Sequence, residues 1–189
     1  MNQLNVGDIV RRSELVTIHG NRLQIPDSAR IVHLQFRRYS GCPVCNLHLR
    51  SIAQRHDEIV AAGIREVVVF HSPAKTMLEI QGQLPFAAIA DPEKKLYAEF
   101  GADRKMSSTA ALNPRTWWVA ANSLAKGLRF NRLQGASGKG EEHSGLPAEF
   151  LIGPDGRIVA AKYGNRIDDH WSVDELLDLA LQTPRQVIQ

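Results

Sequence analysis

The chain has two cysteines, and both fall in one tetrapeptide, Cys42-Pro43-Val44-Cys45. Sulfurs three residues apart on one helical turn can close a disulfide, and once one is oxidised the other can attack it. Reversible two-electron thiol chemistry is therefore the leading reading. A structural zinc site competes, but it needs four ligands and there is no second cysteine pair; His48, His56 and His71 would have to complete it. Two buried thiols acting only as small hydrophobes are the bland alternative. A disulfide framework is excluded, because small secreted folds use more cysteines and longer loops.

The elements around the pair favour redox chemistry. Residues 29–36 (ARIVHLQF) form a β-rich run, a break follows at Ser40-Gly41, and apolar residues then recur at helical spacing from Val44 to Val60. The cysteines thus fall where a central strand gives way to a helix. Unpaired N–H groups at a helix start stabilise a thiolate, lowering its pKa below the usual ~8.5. Pro43 suits a first helical turn, and Arg37, Arg38 and His48 are nearby cations in sequence.

The rest of the chain supplies a frame. Residues 14–25 read as a hairpin, and Glu66–Phe70 and Phe86–Ala90 as strands. A helix from Pro73 to Gln81 separates those two strands. Asp91 is expected to cap a short helix ending near Gly101, with Pro92 in its first turn. Residues 107–126 look helical with a break at Pro114, and 134–145 read as a glycine-rich loop without the ending of a phosphate loop. Strands at Glu149–Ile152 and Arg157–Ala161 flank a Pro154-Asp155-Gly156 turn, and Ser172 with Glu175 opens a last helix. The expectation is an α/β fold with a central mixed sheet flanked by helices, an N-terminal β-hairpin, and an insert over 103–145 before the last hairpin. One domain over 1–189 fits the length of 189 residues.

Composition narrows the function. Net charge is +3, from 23 basic and 20 acidic residues that are interspersed, so a nucleic-acid face is not expected. No apolar run reaches membrane-spanning length, and no secretory leader precedes Val6, so no membrane association and a cytoplasmic location are expected.

The order of elements and the CxxC after a strand resemble the thioredoxin superfamily. Phe86–Ala102 (FAAIADPEKKLYAEFGA) and Glu149–Val159 (EFLIGPDGRIV) are similar to its peroxiredoxin branch, the alkyl hydroperoxide reductase and thiol-specific antioxidant group. The likeness covers most of residues 6–181 and is weakest over the insert. It implies a thioredoxin-like fold and an antioxidant role: reduction of a peroxide or disulfide substrate, an external thioredoxin- or glutathione-like thiol reductant, and no cofactor. Homodimerisation stays open.

This sequence departs from the peroxiredoxin pattern at its centre. In the register set by Phe36, the peroxide-attacking cysteine falls on Cys45, but the family's proline and threonine positions hold Arg38 and Cys42. The late arginine position holds Pro147, which instead matches the thioredoxin proline. That match predicts a cis Leu146–Pro147 bond lying against the cysteines. The resemblance implies Cys42, Cys45 and Pro147 as catalytic residues and Arg37, Arg38, Tyr39 and His48 as substrate-binding. Two mechanisms stand: Cys42 attacks a disulfide and Cys45 resolves, or Cys45 attacks peroxide and Cys42 resolves. The cap position favours Cys42 for attack on disulfides and leaves peroxide open between the two. A non-enzymatic redox-sensing module is the third reading.

Overall fold

Ile31–Phe36 (β3) is buried at all six residues. Its even positions Val32, Leu34 and Phe36 are apolar, whereas His33, Gln35 and, just beyond, Arg37 are polar. Successive strand residues face opposite ways, so one strand presents an apolar face and a polar face, neither reached by solvent. The computed structural model describes residues 3–106 and 142–183, with Pro114, Trp118, Val119, Ala121, Asn122 and Ala125.

Ser13–Val16 (β1) and Arg22–Ile25 (β2) pair as the expected antiparallel hairpin. After β3 come Pro43–Gln54 (α1), His56–Ala61 (α2), Ile64–Phe70 (β4), Ala74–Gln81 (α3), Ala87–Ala90 (β5) and Lys95–Glu99 (α4). Ala148–Ile152 (β6), Ile158–Tyr163 (β7) and Val173–Leu181 (α5) complete the described elements. The five-stranded sheet has the order β5-β4-β3-β6-β7, with β3, β4 and β5 parallel and β6 and β7 antiparallel to their neighbours. This is the mixed sheet the sequence predicts, with β3 at its centre.

Packing on the apolar face of β3 is aromatic. Phe36 meets Tyr97 at 5.0 Å, Phe100 at 5.2 Å and Phe150 at 5.9 Å between ring centroids, mostly edge to face. Each fully buried Leu, Val or Phe here stabilises the fold by roughly 1.5–3 kcal/mol. A second cluster lies over the other face of the sheet, where Cys42, Val44, Cys45 and Leu49 of α1 and its cap pack with Val68, Phe70 and Met77.

Three local expectations need correction. The single helix expected after the cysteines breaks at Arg55 (φ −113°, ψ 21°), where the guanidinium binds Glu58 at 2.7 Å and Asp174 at 2.6 Å. Gly63 follows the second piece with φ 80°, a left-handed position that glycine adopts without strain. The helix after Asp91 starts only at Lys95, yet Asp91 does cap it: its carboxylate accepts from the N–H groups of Lys95, Leu96 and Tyr97 at 2.8–3.2 Å. The Leu146–Pro147 bond is trans; among the described residues the one cis bond is Ile25–Pro26. Leu146 N–H donates to the Arg104 carbonyl at 2.9 Å and Gly145 bridges Lys105, which holds this segment extended on its way into β6. Ser172 and Glu175 form the expected reciprocal cap on α5. The six isolated residues are helical, Pro114 included, where the sequence reading has a break. The remainder of that reading, and the loop reading up to residue 141, lie outside the described residues.

Candidate active site

Cys42 is the N-cap of α1 and Pro43 opens the helix. Its Sγ accepts from the Cys45 N–H at 3.4 Å and faces Arg38 Nη1 at 3.6 Å. Both thiols are free and wholly buried. The Cys45 thiol is brought down to about 5: burial alone would raise it, but a hydrogen bond from Cys42 and the charges of Arg38, His170 and Arg37 outweigh burial. Cys42 moves the opposite way, raised by burial and then by its hydrogen bond to Cys45 and the charge on that sulfur. The pair thus holds one proton on Cys42 and a thiolate on Cys45.

The polar face of β3 supplies the charge beneath that thiolate. Arg37 is fully buried, and its Nη2 pairs with Glu149 Oε1 on β6 at 2.7 Å. The same guanidinium reaches His48 Nδ1 on α1 at 3.0 Å, and also His170 Nδ1 and Gln35 Oε1. Gln35 continues to Glu66, whose carboxylate binds His33 Nδ1 at 2.9 Å. Glu149 Oε2 accepts from the Trp171 N–H at 2.6 Å, and His48 Nε2 donates to the Trp171 carbonyl at 2.7 Å. Burial pushes His48 and His170 below the usual histidine range, and the Arg37 charge pushes further. Glu149 lies well below its ordinary value: burial would raise it, but Arg37 and His170 overcome that.

Arg38 and Tyr39 close the other side. Arg38 donates to the His143 carbonyl, and Tyr39 stacks on the His143 ring at 4.1 Å and 15°. Glu142 anchors this cover through Lys94 at 2.6 Å and Lys105 at 2.8 Å, which hold its carboxyl at about 2. Pro147 is buried where the cover enters β6, its carbonyl accepting from Gly164 N–H at 2.9 Å. A Cβ at Gly164 would lie 2.8 Å from Pro147 Cγ, so only glycine permits this approach.

Of the residues singled out in the sequence, Arg38 is thus beside Cys42, Arg37 and His48 join one network, and Tyr39 belongs to the cover. Glu149, His170 and Trp171 were not foreseen. A signal for them exists: His33, Gln35 and Arg37 alternate along a strand whose apolar run marks it as buried, and buried polar groups require partners. His48, Glu149 and His170 place ligand atoms within 4.8 Å of one another, the spacing of a metal site. The Arg37 guanidinium occupies that place as the cation. No such group among the described residues includes either cysteine, and the zinc candidates His56 and His71 sit against Phe86 and Tyr97 instead.

A family model described as AhpC/TSA antioxidant enzyme matches residues 51–166, more than half of the chain but beginning after the cysteine pair. No curated protein sequence matches the chain. Among solved structures, peroxidoxin BcpB from Mycobacterium tuberculosis is similar at a TM-score of 0.67 and 14% identity, covering 95% of this chain and 97% of that one. A mutant of peroxiredoxin 6 from Arenicola marina gives 0.62 and 15%, covering 94% and 72%. A putative thiol:disulfide interchange protein DsbE from Chlorobium tepidum gives 0.59 and 18%, covering 94% and 99%. The fold is thioredoxin-like, as the sequence predicts. No helix among the described residues is long and apolar enough to cross a membrane.

Proposed function

Because the chain belongs to the AhpC/TSA antioxidant enzyme family, and is on that ground a thiol-dependent oxidoreductase, we propose that it reduces hydroperoxides through a Cys42/Cys45 dithiol–disulfide cycle. The observation that carries this reading is the division of labour in the pair: a buried Cys45 thiolate among Arg38, His170 and Arg37, beside a Cys42 that keeps its proton. The Cys45 thiolate attacks the distal peroxide oxygen; the O–O bond breaks and the alkoxide leaves, to be protonated to the alcohol. Cys45 is then a sulfenic acid. Cys42 attacks it, the S–S bond forms, and the Cys42 proton leaves with the hydroxyl as water. An external dithiol, or two monothiols, returns two electrons and two protons.

Burial favours a small oxidant, since both sulfurs are wholly out of solvent and a bulky disulfide cannot reach them. Arg37 and Arg38 supply positive charge for the thiolate and the developing alkoxide, the task the late-strand arginine would perform where Pro147 stands. The cycle is read as that of one domain in the cytoplasm.

A second reading, disulfide exchange begun by Cys42, is favoured by the position of Cys42 as helix cap with its Sγ accepting the Cys45 N–H. Cys42→Ser and Cys45→Ser, each given one equivalent of hydrogen peroxide with a sulfenic-acid trap, separate the two by mass spectrometry. The peroxidase reading expects label on Cys45 in Cys42→Ser and none in Cys45→Ser. The reverse pattern, or no label in either with a mixed disulfide trapped by Cys45→Ser, overturns it.

A further inference from the structure

Ser40 lies two residues before Cys42 and is fully buried, and side chains from three parts of the chain hold its backbone. Its N–H donates to the hydroxyl oxygen of Ser72, between β4 and α3, at 2.7 Å. Its carbonyl accepts from Asn46 Nδ2 of α1 and from Gln81 Nε2 of α3, each at 2.8 Å. A carbonyl can only accept, so both amides must turn their NH2 groups towards it. Asn46 Oδ1 is then left to accept the second Gln81 Nε2–H, at 2.9 Å. Gln81 is itself buried, and its backbone carbonyl takes the Leu84 N–H at 3.0 Å. Met77, one turn earlier on α3, packs in the cluster that contains Cys42 and Cys45.

The clamp acts on the loop that carries Cys42, and the two half-reactions ask different things of that loop. Attack on peroxide uses Cys45, which is held within the first turn of α1. Resolution instead requires the Cys42 sulfur to come to bonding distance, about 2.05 Å, of the oxidised Cys45 sulfur. Once Cys45 is a sulfenic acid, its negative charge no longer draws the Cys42 thiol or Arg38 towards it. Amides and a hydroxyl carry no charge, so the hold on Ser40 is the same before and after oxidation.

We propose that Gln81, together with Asn46, is a positioning residue for the resolving step: it fixes the Ser40 loop so that Cys42 stays within reach of oxidised Cys45. The proposal rests on the peroxidase reading. In that step the Cys42 sulfur attacks the sulfenic sulfur, the S–S bond forms and the S–O bond breaks. The hydroxide leaves as water with the Cys42 proton. A displacement of about 1 Å in such an approach costs on the order of 100-fold in rate.

The test uses the full chain, with folding checked by circular dichroism. Gln81→Met keeps the side-chain length and removes both donors, and Gln81→Glu turns an acceptor towards the Ser40 carbonyl at neutral pH. Each variant receives one equivalent of hydrogen peroxide, and a sulfenic-acid trap is added at increasing delays for mass spectrometry. Both variants lengthen the lifetime of the Cys45 sulfenic acid about tenfold or more. The rate of the first step at pH 7, read by stopped-flow tryptophan fluorescence, stays within about twofold, because a Cys45 midpoint of about 5 leaves room to rise before thiolate is lost. In a Cys42→Ser background Gln81→Met leaves the lifetime unchanged, since the thiol it positions is gone.

Equal lifetimes in all folded proteins that keep both cysteines overturn the proposal. So does slowing of both steps in the same proportion, or an equal effect of Gln81→Met with and without Cys42, since general loosening of the fold would produce either. If neither glutamine variant folds, Asn46→Ala makes the same comparison and decides alone. Absence of sulfenic acid even in Cys42→Ser overturns the peroxidase reading and the proposal with it, a result distinct from failure at Gln81.

Discussion

Arg37 and Glu149 meet at 2.7 Å with both side chains wholly out of solvent. β3 and β6 are neighbours in the sheet, with Gln35 opposite Glu149, so the sheet register itself brings the two charges together. Two buried opposite charges cancel much of each other's desolvation cost; the Arg37 Nη atoms also meet His48, His170 and Gln35, and Glu149 Oε2 accepts from the Trp171 N–H, while Arg37 Nε has no hydrogen-bond partner. The pair therefore serves structure and chemistry at once, and perturbing it separates the two.

Glu149→Gln removes the counter-charge while keeping the shape. Leaving Arg37 unpaired costs about 3–5 kcal/mol of stability. The same change takes a negative charge from beneath Cys45, so the thiolate midpoint falls below its starting value of about 5. Urea unfolding and thiolate absorbance on one preparation check both. A midpoint that rises, or stays fixed, would falsify this view of the pair.

Acid stability follows from the buried imidazoles. His48 and His170 are held below the usual histidine range in the fold, burial first and Arg37 second. The unfolded chain thus binds more protons below about pH 6.5, and stability that is full above that pH declines as pH falls, by up to ~1.4 kcal/mol per pH unit for each ring. Glu149 adds a further loss at lower pH, below the unfolded carboxylate value of about 4.3. Urea titrations of the Cys42→Ser/Cys45→Ser double variant isolate this effect from the thiols. A flat stability profile through the histidine range would contradict it.

Arg38 touches Cys42 and lowers both thiols by its charge. Arg38→Met is expected to raise the Cys45 midpoint and slow the peroxide reaction at neutral pH about tenfold for each pH unit the midpoint passes above neutrality. Arg38→Lys keeps the charge and restores most of the thiolate. Stopped-flow tryptophan fluorescence with hydrogen peroxide measures the rates, and identical rates in all three proteins would remove Arg38 from the chemistry.

Asp91 holds the start of α4 by three backbone N–H groups, and α4 carries Tyr97, whose hydroxyl donates to the Arg37 and Val69 carbonyls. Asp91→Ala loses that cap at a cost of about 1–2 kcal/mol. Hydrogen exchange should increase at Lys95, Leu96 and Tyr97 while β6 and β7 stay protected. Uniform loss of protection would show instead that the cap supports the whole fold.

Much of the frame was legible because its causes are local. The apolar run of β3, the turn at Gly153-Pro154-Asp155-Gly156, the Ser172/Glu175 cap and the placement of Cys42 before Pro43 each depend on neighbours a few residues apart. Local chemistry misjudged the helix break at Arg55, because its guanidinium is drawn to Asp174 in a distant element. The match to the thioredoxin proline misjudged Leu146–Pro147, where pairing to Arg104 and Lys105 keeps the chain extended.

The sequence by itself determined that a dithiol would stand at the start of a helix behind a central strand, since spacing and periodicity suffice for that. Tertiary structure alone decided which sulfur carries the charge. A cap position acts on Cys42 through one helix, whereas the field at Cys45 is the sum of Arg37, Arg38 and His170, converging from segments more than a hundred residues apart in chain order. Electrostatic energy depends on distance in space and on the exclusion of water, and neither can be read along the chain before the sheet brings those side chains together.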